Sequence, residues 1–436
     1  MKQTENSARS PWQPCNAVGW DHLQIKRRFD IELGKMLQNG PLYSLDTEVP
    51  YLKAQHVQWN GVRLEDLPTM WASPNDITAL QVHFGDLLVC EGGEVGRGAI
   101  VQSEPPDDCI IQNALHRVRG RVAGDQRFLY YLLRHAATQN WFDVLCNRST
   151  IAHFTGDKFG EMWVWLPPVN RQRAIAGFLD HETARIDALI AAKERVLGLL
   201  AEKKRALITH AVTRGLNHDV PFRDSGIPWL GEIPDHWRII RLKHFAAIYY
   251  GLSQPPEYRS AGSAFIRATN VKRGELTAIG LVFVDEADLP FSRIVRLKTD
   301  DIIVVRSGAY TGDSAIVTEK WEGAIAGYDM VVRCYRLAVP TFVSFAMLCQ
   351  YVLEAQIDPL RIRAAQPHLN AEELGDIVLA LPPESEQQAI VAHIKQETKK
   401  LDAMRDATEK TIGLLKERRA ALIAAAVMGE MNIAEQ

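Results

Sequence analysis

The chain has 436 residues, 47% of them hydrophobic, 24% charged and 8% aromatic, with a formal net charge of −3. This suits several packed domains and excludes a disordered polymer, while the absence of a long apolar run or a leader-like stretch in Met1–Ser10 points to a cytoplasmic protein. Six scattered cysteines without a C-x-x-C pair argue against zinc and disulfides, and the slightly acidic balance requires any DNA-binding surface to be local or shared with partners.

In chain order, residues 1–17 form an N-terminal segment, and 18–168 carry short β-branched and aromatic runs punctuated by Gly, Pro, Asp and Asn. That texture predicts a mixed, strand-rich domain. Leu166-Pro167-Pro168 ends it, because proline fits neither a strand ladder nor a helix interior. Residues 169–214 then predict one long helix, proline-free beyond that boundary and rich in Ala, Glu, Lys, Arg and Leu. Leu179, Ile186, Leu200 and Leu207 recur at sevens, flanked by Ile190, Leu197 and Ala211 and interrupted at Lys193. This is a coiled-coil seam. At 1.5 Å per residue such a helix reaches roughly 65 Å and needs a partner along its length. Gly198 in mid-helix marks a close crossing or a kink.

Residues 215–236 are a connector rich in proline and glycine, anchored by Trp229 and the neighbouring Trp237. A second strand-rich domain is expected over 237–383, ending at Leu381-Pro382-Pro383, and a second long helix over 384–430. Its seam is Ile394, Leu401, Leu415 and Leu422, interrupted at Thr408, with Gly413 matching Gly198.

The chain is in fact written twice. Ser149 to Thr213 recurs without a gap as Ala364 to Met428, so that each helix has its own copy as the obvious partner. Pro11-Trp12 and Trp20 match Pro228-Trp229 and Trp237; Tyr51-Leu52-Lys53-Ala54 matches Phe265-Ile266-Arg267-Ala268. Two similar halves suit a ligand that is itself roughly two-fold, duplex DNA above all.

Catalytic signatures do not emerge. There is no phosphate loop or H-E-x-x-H helix, and Pro255-Pro256-Glu257-Tyr258 fails the Pro-Pro-Tyr pattern of an adenine methyltransferase. The glycine-rich runs 92–98 and 307–313 read as turns, since a strand rather than a helix follows. Candidate DNA contacts in the first domain are Lys53, His56, Gln58, Arg97, Gln112, Asn113, Arg148, Thr150 and His153. In the second they are Arg267, Asn270, Lys272, Arg273, Arg306, Tyr310, Arg361, Arg363, Gln366 and His368. Equivalent positions differ in chemistry (Arg267/Lys53, Asn270/His56, Arg306/Glu91), as two readers of different sequences would. The repeated pair His153/His368 reads equally well as a structural histidine.

Together, the order domain, Leu-Pro-Pro, long helix, repeated once, and the helix opening Q-x-A-I…E-T…D at Gln172–Asp187 and Gln387–Asp402 resemble the specificity subunit of type I restriction-modification systems. The connector from Gly226 to Trp237 is similar to that family's; the N-terminal copy keeps only Pro11-Trp12 and Trp20. The resemblance implies an α+β fold: two target recognition domains, with the helices pairing as an antiparallel coiled coil and the halves related by pseudo-two-fold symmetry. It implies a non-catalytic subunit that binds no cofactor or metal itself and reads a bipartite DNA target. Two methyltransferase (M) subunits would carry S-adenosylmethionine and methylate adenine N6, and motor-nuclease (R) subunits would use ATP and Mg2+. The competing reading is a duplicated adaptor gripping two identical proteins without DNA.

Overall fold

The punctuated apolar runs do form short strands, and they form the same sheets twice. The computed structural model describes residues 14, 18–145, 154–254, 256–290, 294–335, 337–361 and 367–433. The chain divides into two compact units, 1–194 with 410–436, and 195–409.

In the first unit an antiparallel sheet runs in the order Phe29–Leu33, Leu115–Gly120, Leu87–Cys90, Gly98–Ile100. A smaller sheet has Thr47–Leu52 between antiparallel Thr69–Ala72 and parallel Ile110–Ile111. Asp21–Gln24 pairs with Trp163–Leu166, which delivers the chain to Pro167-Pro168. The second unit repeats each piece: Ala246–Tyr250, Met330–Cys334, Ile302–Val304, Ser314–Ile316 in the larger sheet, and Ser263–Ile266 between Val282–Val284 and Ile325–Ala326 in the smaller. Arg238–Arg241 pairs with Val378–Leu381.

Small packing devices repeat as well. Trp20 meets Phe128 edge-on at 6.3 Å, and Trp237 meets Phe342 at 6.4 Å. Buried Asp86 accepts from Nε and Nη2 of Arg119 at 2.6 and 2.7 Å; buried Asp301 accepts from Arg333 through the same two atoms, both at 2.7 Å. Bidentate geometry with further backbone donors offsets the desolvation of these carboxylates.

The two long helices are Val169–Arg214 and Glu384–Val427. Each opens on a buried glutamine that ties it to its own domain. Gln172 Oε1 accepts from Asp125 N, and its Nε2 donates to Ala123 O and Pro167 O. Gln387 accepts from Val339 N and donates to Leu337 O and Pro382 O. Within the first unit, Ile175, Ala176 and Leu179 share a core with Ile423, Ala426 and Val427, and Arg419 donates to Asp187. Within the second, Ala211 and Val212 share a core with Ile390 and Ile394, and Lys204 Nζ donates to Asp402 at 2.8 Å. Rising numbers on one helix meet falling numbers on the other in both units. The pairing is antiparallel, and the two ion pairs are repeat copies of one another.

Of the predicted seam, Leu179, Ile186, Ile394 and Leu401 are buried and Leu197, Leu200, Leu207, Leu415 and Leu422 half-buried. The close-crossing reading of the glycines is corrected: a Cβ at Gly198 or Gly413 would meet nothing within 4 Å, so these positions face open space. The connector is more ordered than a string of turns. Phe222–Asp224 and Glu232–Pro234 form a hairpin, and Trp229 stacks on Tyr351 at 5.9 Å. Trp237 is buried and its Nε1 donates to Glu386. Among the described residues, no helix is long and apolar enough to cross a membrane.

Candidate nucleic-acid interface

In each unit the strand-rich domain brings a short 3-10 turn, Ala54–His56 or Ala268–Asn270, next to a glycine-containing loop, 91–97 or 306–313. In the first unit Arg97 Nη2 donates to Ala54 O at 3.0 Å and Nη1 to Glu94 at 2.8 Å, which bridges loop to turn. In the second, Lys272 lies 5.3 Å from the Tyr310 ring centre and Arg273 Nε donates to Asp313 at 2.9 Å.

Two candidates are structural instead. His56 is buried, and its Nδ1 accepts from Lys53 N at 3.2 Å, closing the turn on itself. Burial holds its pKa below the ordinary value, and the nearby Arg63 and Lys53 charges add to this. Asn270, its repeat counterpart, is fully buried; Oδ1 accepts from Arg267 N at 3.1 Å while Nδ2 donates to Thr277 O and Ile279 O. Histidine and asparagine here perform one capping task, not two readouts. Their divergence satisfies local hydrogen bonds.

The other described candidates remain at or near the surface. Gln58, Lys272, Arg273, Tyr310 and His368 are exposed; Lys53, Arg97, Gln112, Asn113, Arg267, Arg306 and Arg361 are half-buried. Arg267 packs on Tyr258 at 5.2 Å and donates to Gly280 O at 2.6 Å; Arg361 donates to Asp358 at 2.8 Å. Arg148, Thr150, His153, Arg363 and Gln366 lie outside the described residues.

A dense polar group sits in the second unit. The Arg306 guanidinium lies 4.5 Å from the Tyr250 ring centre and 4.4 Å from Tyr328, and its Nη2 is 3.2 Å from His368 Nε2. Behind it, buried Asp329 accepts from Arg306 N at 3.3 Å; burial raises its pKa to about 6 against the opposing pull of Arg306. Sequence reasoning missed Tyr250 and Tyr328. The available signal was their adjacency to Gly251 and Gly327, where a Cβ would clash with Gly327 O and Ile266 O respectively. The first unit holds Leu33, Glu91 and Asn113 at the positions of Tyr250, Arg306 and Tyr328. Matching hydrogen bonds and strand register support the correspondence: Phe154 N to Glu91 O and Leu369 N to Arg306 O; Leu33 beside His116 and Tyr250 beside Met330; and Gln112 N to Leu52 O and Gly327 N to Ile266 O, after which Tyr328 stands alone where the first unit has Asn113 and Ala114. Among the described residues no group of three His, Cys, Asp or Glu is placed to hold a metal.

Residues 18–197 match the family model of the type I restriction modification DNA specificity domain. The chain is 25% identical over 320 residues to the type I restriction enzyme EcoBI specificity subunit of Escherichia coli, an alignment covering 71% of this chain and 66% of that one. It is 24% identical over 278 residues to the MjaVIII specificity subunit of Methanocaldococcus jannaschii (62% of this chain and 63% of that one). With the EcoKI specificity subunit of E. coli it shares 20% over 403 residues, covering 89% and 84%. The chain therefore spans just under two thirds of the first two relatives' lengths. Among solved structures, a chain from a study of complex assembly and conformational transition of the type I R-M system aligns with TM-score 0.68 at 18% identity, over 97% of this chain and all of that one. The HsdS subunit from Thermoanaerobacter tengcongensis aligns with TM-score 0.53 at 16% identity, over 98% of this chain and all of that one. With its doubled sheets and paired helices, this chain shares the fold of these solved structures, its residues 18–197 match the type I specificity domain, and most of its length is similar to type I restriction-modification specificity subunits.

Proposed function

We propose that this chain is the DNA sequence-specificity subunit of a type I complex. Residues 18–168 and 237–383 act as target recognition domains, each reading one half of a bipartite target. The long helices set the distance and angle between the two readers, so that half-sites must recur at one spacing and helical phase. Catalysis belongs to the partners. Two M subunits carry S-adenosylmethionine and methylate an adenine flipped from each half-site, and R subunits supply ATP-driven translocation and cleavage.

The observation that carries this reading is one scaffold used twice with its loop-tip chemistry changed. Sheets, glutamine anchors and buried ion pairs repeat, whereas Tyr250, Arg306 and Tyr328 replace Leu33, Glu91 and Asn113. A scaffold selected only to grip two identical proteins would keep those tips alike. Support for paired M subunits comes from the helices. Leu189 and Leu199 and their repeat copies Met404 and Leu414 stay exposed on the outer faces, giving two equivalent apolar steps for two copies of one partner.

The test is to exchange residues 18–168 for another such domain and sequence the methylated positions genome-wide. One half of the recognised sequence should change and the other stay; change in both halves, or no discrete motif at all, defeats the reading. A gel shift of the assembled subunits on duplex DNA separates this from the adaptor reading, which excludes sequence-selective binding.

A further inference from the structure

Arg306 is held in a way that solvent-facing arginines are not. Two tyrosine rings pack on its guanidinium at 4.5 and 4.4 Å, its Nε is buried without a partner, and its backbone N is pinned to Asp329. Among the described residues no carboxylate comes within ion-pairing distance, and Nη1 meets no protein acceptor. Packing on aromatic rings restricts the rotamers of a side chain that would otherwise lose conformational entropy when it binds. Burial of Nε leaves only the terminal edge, Nη1 and Nη2, to face a ligand. Tyr250 and Tyr328 are themselves about 40% exposed and frame that edge.

A planar two-donor edge with fixed direction matches the paired O6 and N7 acceptors of guanine in the major groove. A phosphate would be served as well by a mobile lysine or arginine, and needs neither rings nor fixed orientation. On the proposed reading of this chain as a DNA specificity subunit, we infer that Arg306, oriented by Tyr250, Tyr328 and His368, reads a guanine in the half-site of the second domain. The first domain, with Leu33, Glu91 and Asn113 in those places, lacks this reader.

The experiment uses the full chain with its methyltransferase subunits and maps genomic methylation for the wild type, Arg306→Gln and Arg306→Lys. A wild-type map without a two-part motif refutes the specificity-subunit reading itself, independently of Arg306. Given a motif, Arg306→Gln should relax one guanine, in the half that changes when residues 237–383 are exchanged, by roughly 10-fold to 100-fold in discrimination. Arg306→Lys, which keeps the charge and loses the two-donor edge, should relax the same base while methylation persists. An unchanged motif in both variants overturns the inference. So does a uniform fall at all sites with the motif intact, which marks a phosphate contact, or relaxation at a base other than guanine. Loss of methylation from both variants while the complex still assembles overturns it too.

Discussion

Replacing Gln172 with alanine should open the joint between the first domain and its long helix. The side chain is only 1% exposed and satisfies three backbone groups, Asp125 N, Ala123 O and Pro167 O, at 2.9, 3.2 and 2.7 Å. Each orphaned buried group costs about 1–3 kcal/mol, and water entering the vacated space recovers part of that, so a net loss of about 3 kcal/mol is expected. Two-unit proteins seldom unfold in a single step, so a global melt reports this poorly. Native-state hydrogen exchange at the Asp125 amide reads it directly, with protection expected to fall more than 100-fold at that cost. Gln172→Glu should be no better: it keeps the acceptor for Asp125 N but loses both donors. Gln387→Ala should produce an equal effect at the Val339 amide, and the double variant should show the sum of two independent losses. Wild-type protection of Asp125 in Gln172→Ala would refute the argument that this glutamine clamps the helix.

Four further outcomes are expected. Leu199→Asp with Leu414→Asp should abolish M-subunit assembly, measured by co-purification, and leave helix content unchanged by circular dichroism, because both leucines are exposed. Reversing the helix ion pair with Asp187→Arg should destabilise by up to about 1 kcal/mol, and adding Arg419→Asp should recover most of it; urea titration at low salt shows the coupling, and high salt should erase it. His56→Asn, which installs the residue its counterpart position uses, should preserve melting temperature and recognised sequence, whereas His56→Ala should cost about 1 kcal/mol through the lost cap. Asp329 has a folded pKa raised to about 6 from an ordinary 3.8, so the folded state holds its proton more tightly than the unfolded state does. The stability this contributes is complete below about pH 4 and is lost as pH rises through about 6. Asp329→Asn should therefore raise stability at pH 8, by on the order of 3 kcal/mol, and leave it unchanged at pH 4.

Much of the fold was legible because it is periodic or repeated. The Leu-Pro-Pro stops place both helix starts, and the expected span 169–214 is the observed one; the second helix ends at Val427, short of the expected 430. Spacing by sevens found Leu179, Ile186, Ile394 and Leu401, yet missed Ile423, Ala426 and Val427, which enter the first unit's core from the far end of the chain. Spacing along one helix carries no information about which distant segment covers it. The interface was less legible still. A polar residue in a loop can cap its own turn or face solvent, and sequence pattern does not separate the two; His56 and Asn270 took the first course. Tyr250 and Tyr328 gained their place beside Arg306 from sheet register and the close approach of Gly251 to Gly327; the neighbouring glycines could be read in the sequence, but not which backbone each would meet.

The reciprocal sharing of helix ends bears on how the protein is made. The first unit's core includes Val427, more than 200 residues after its last large strand at Trp163–Leu166. On the ribosome that domain emerges early but waits, incompletely covered, until almost the entire chain has been translated. Any message cut short upstream of residue 410 would yield a first domain with a permanently bare apolar face, a natural substrate for chaperones and proteases.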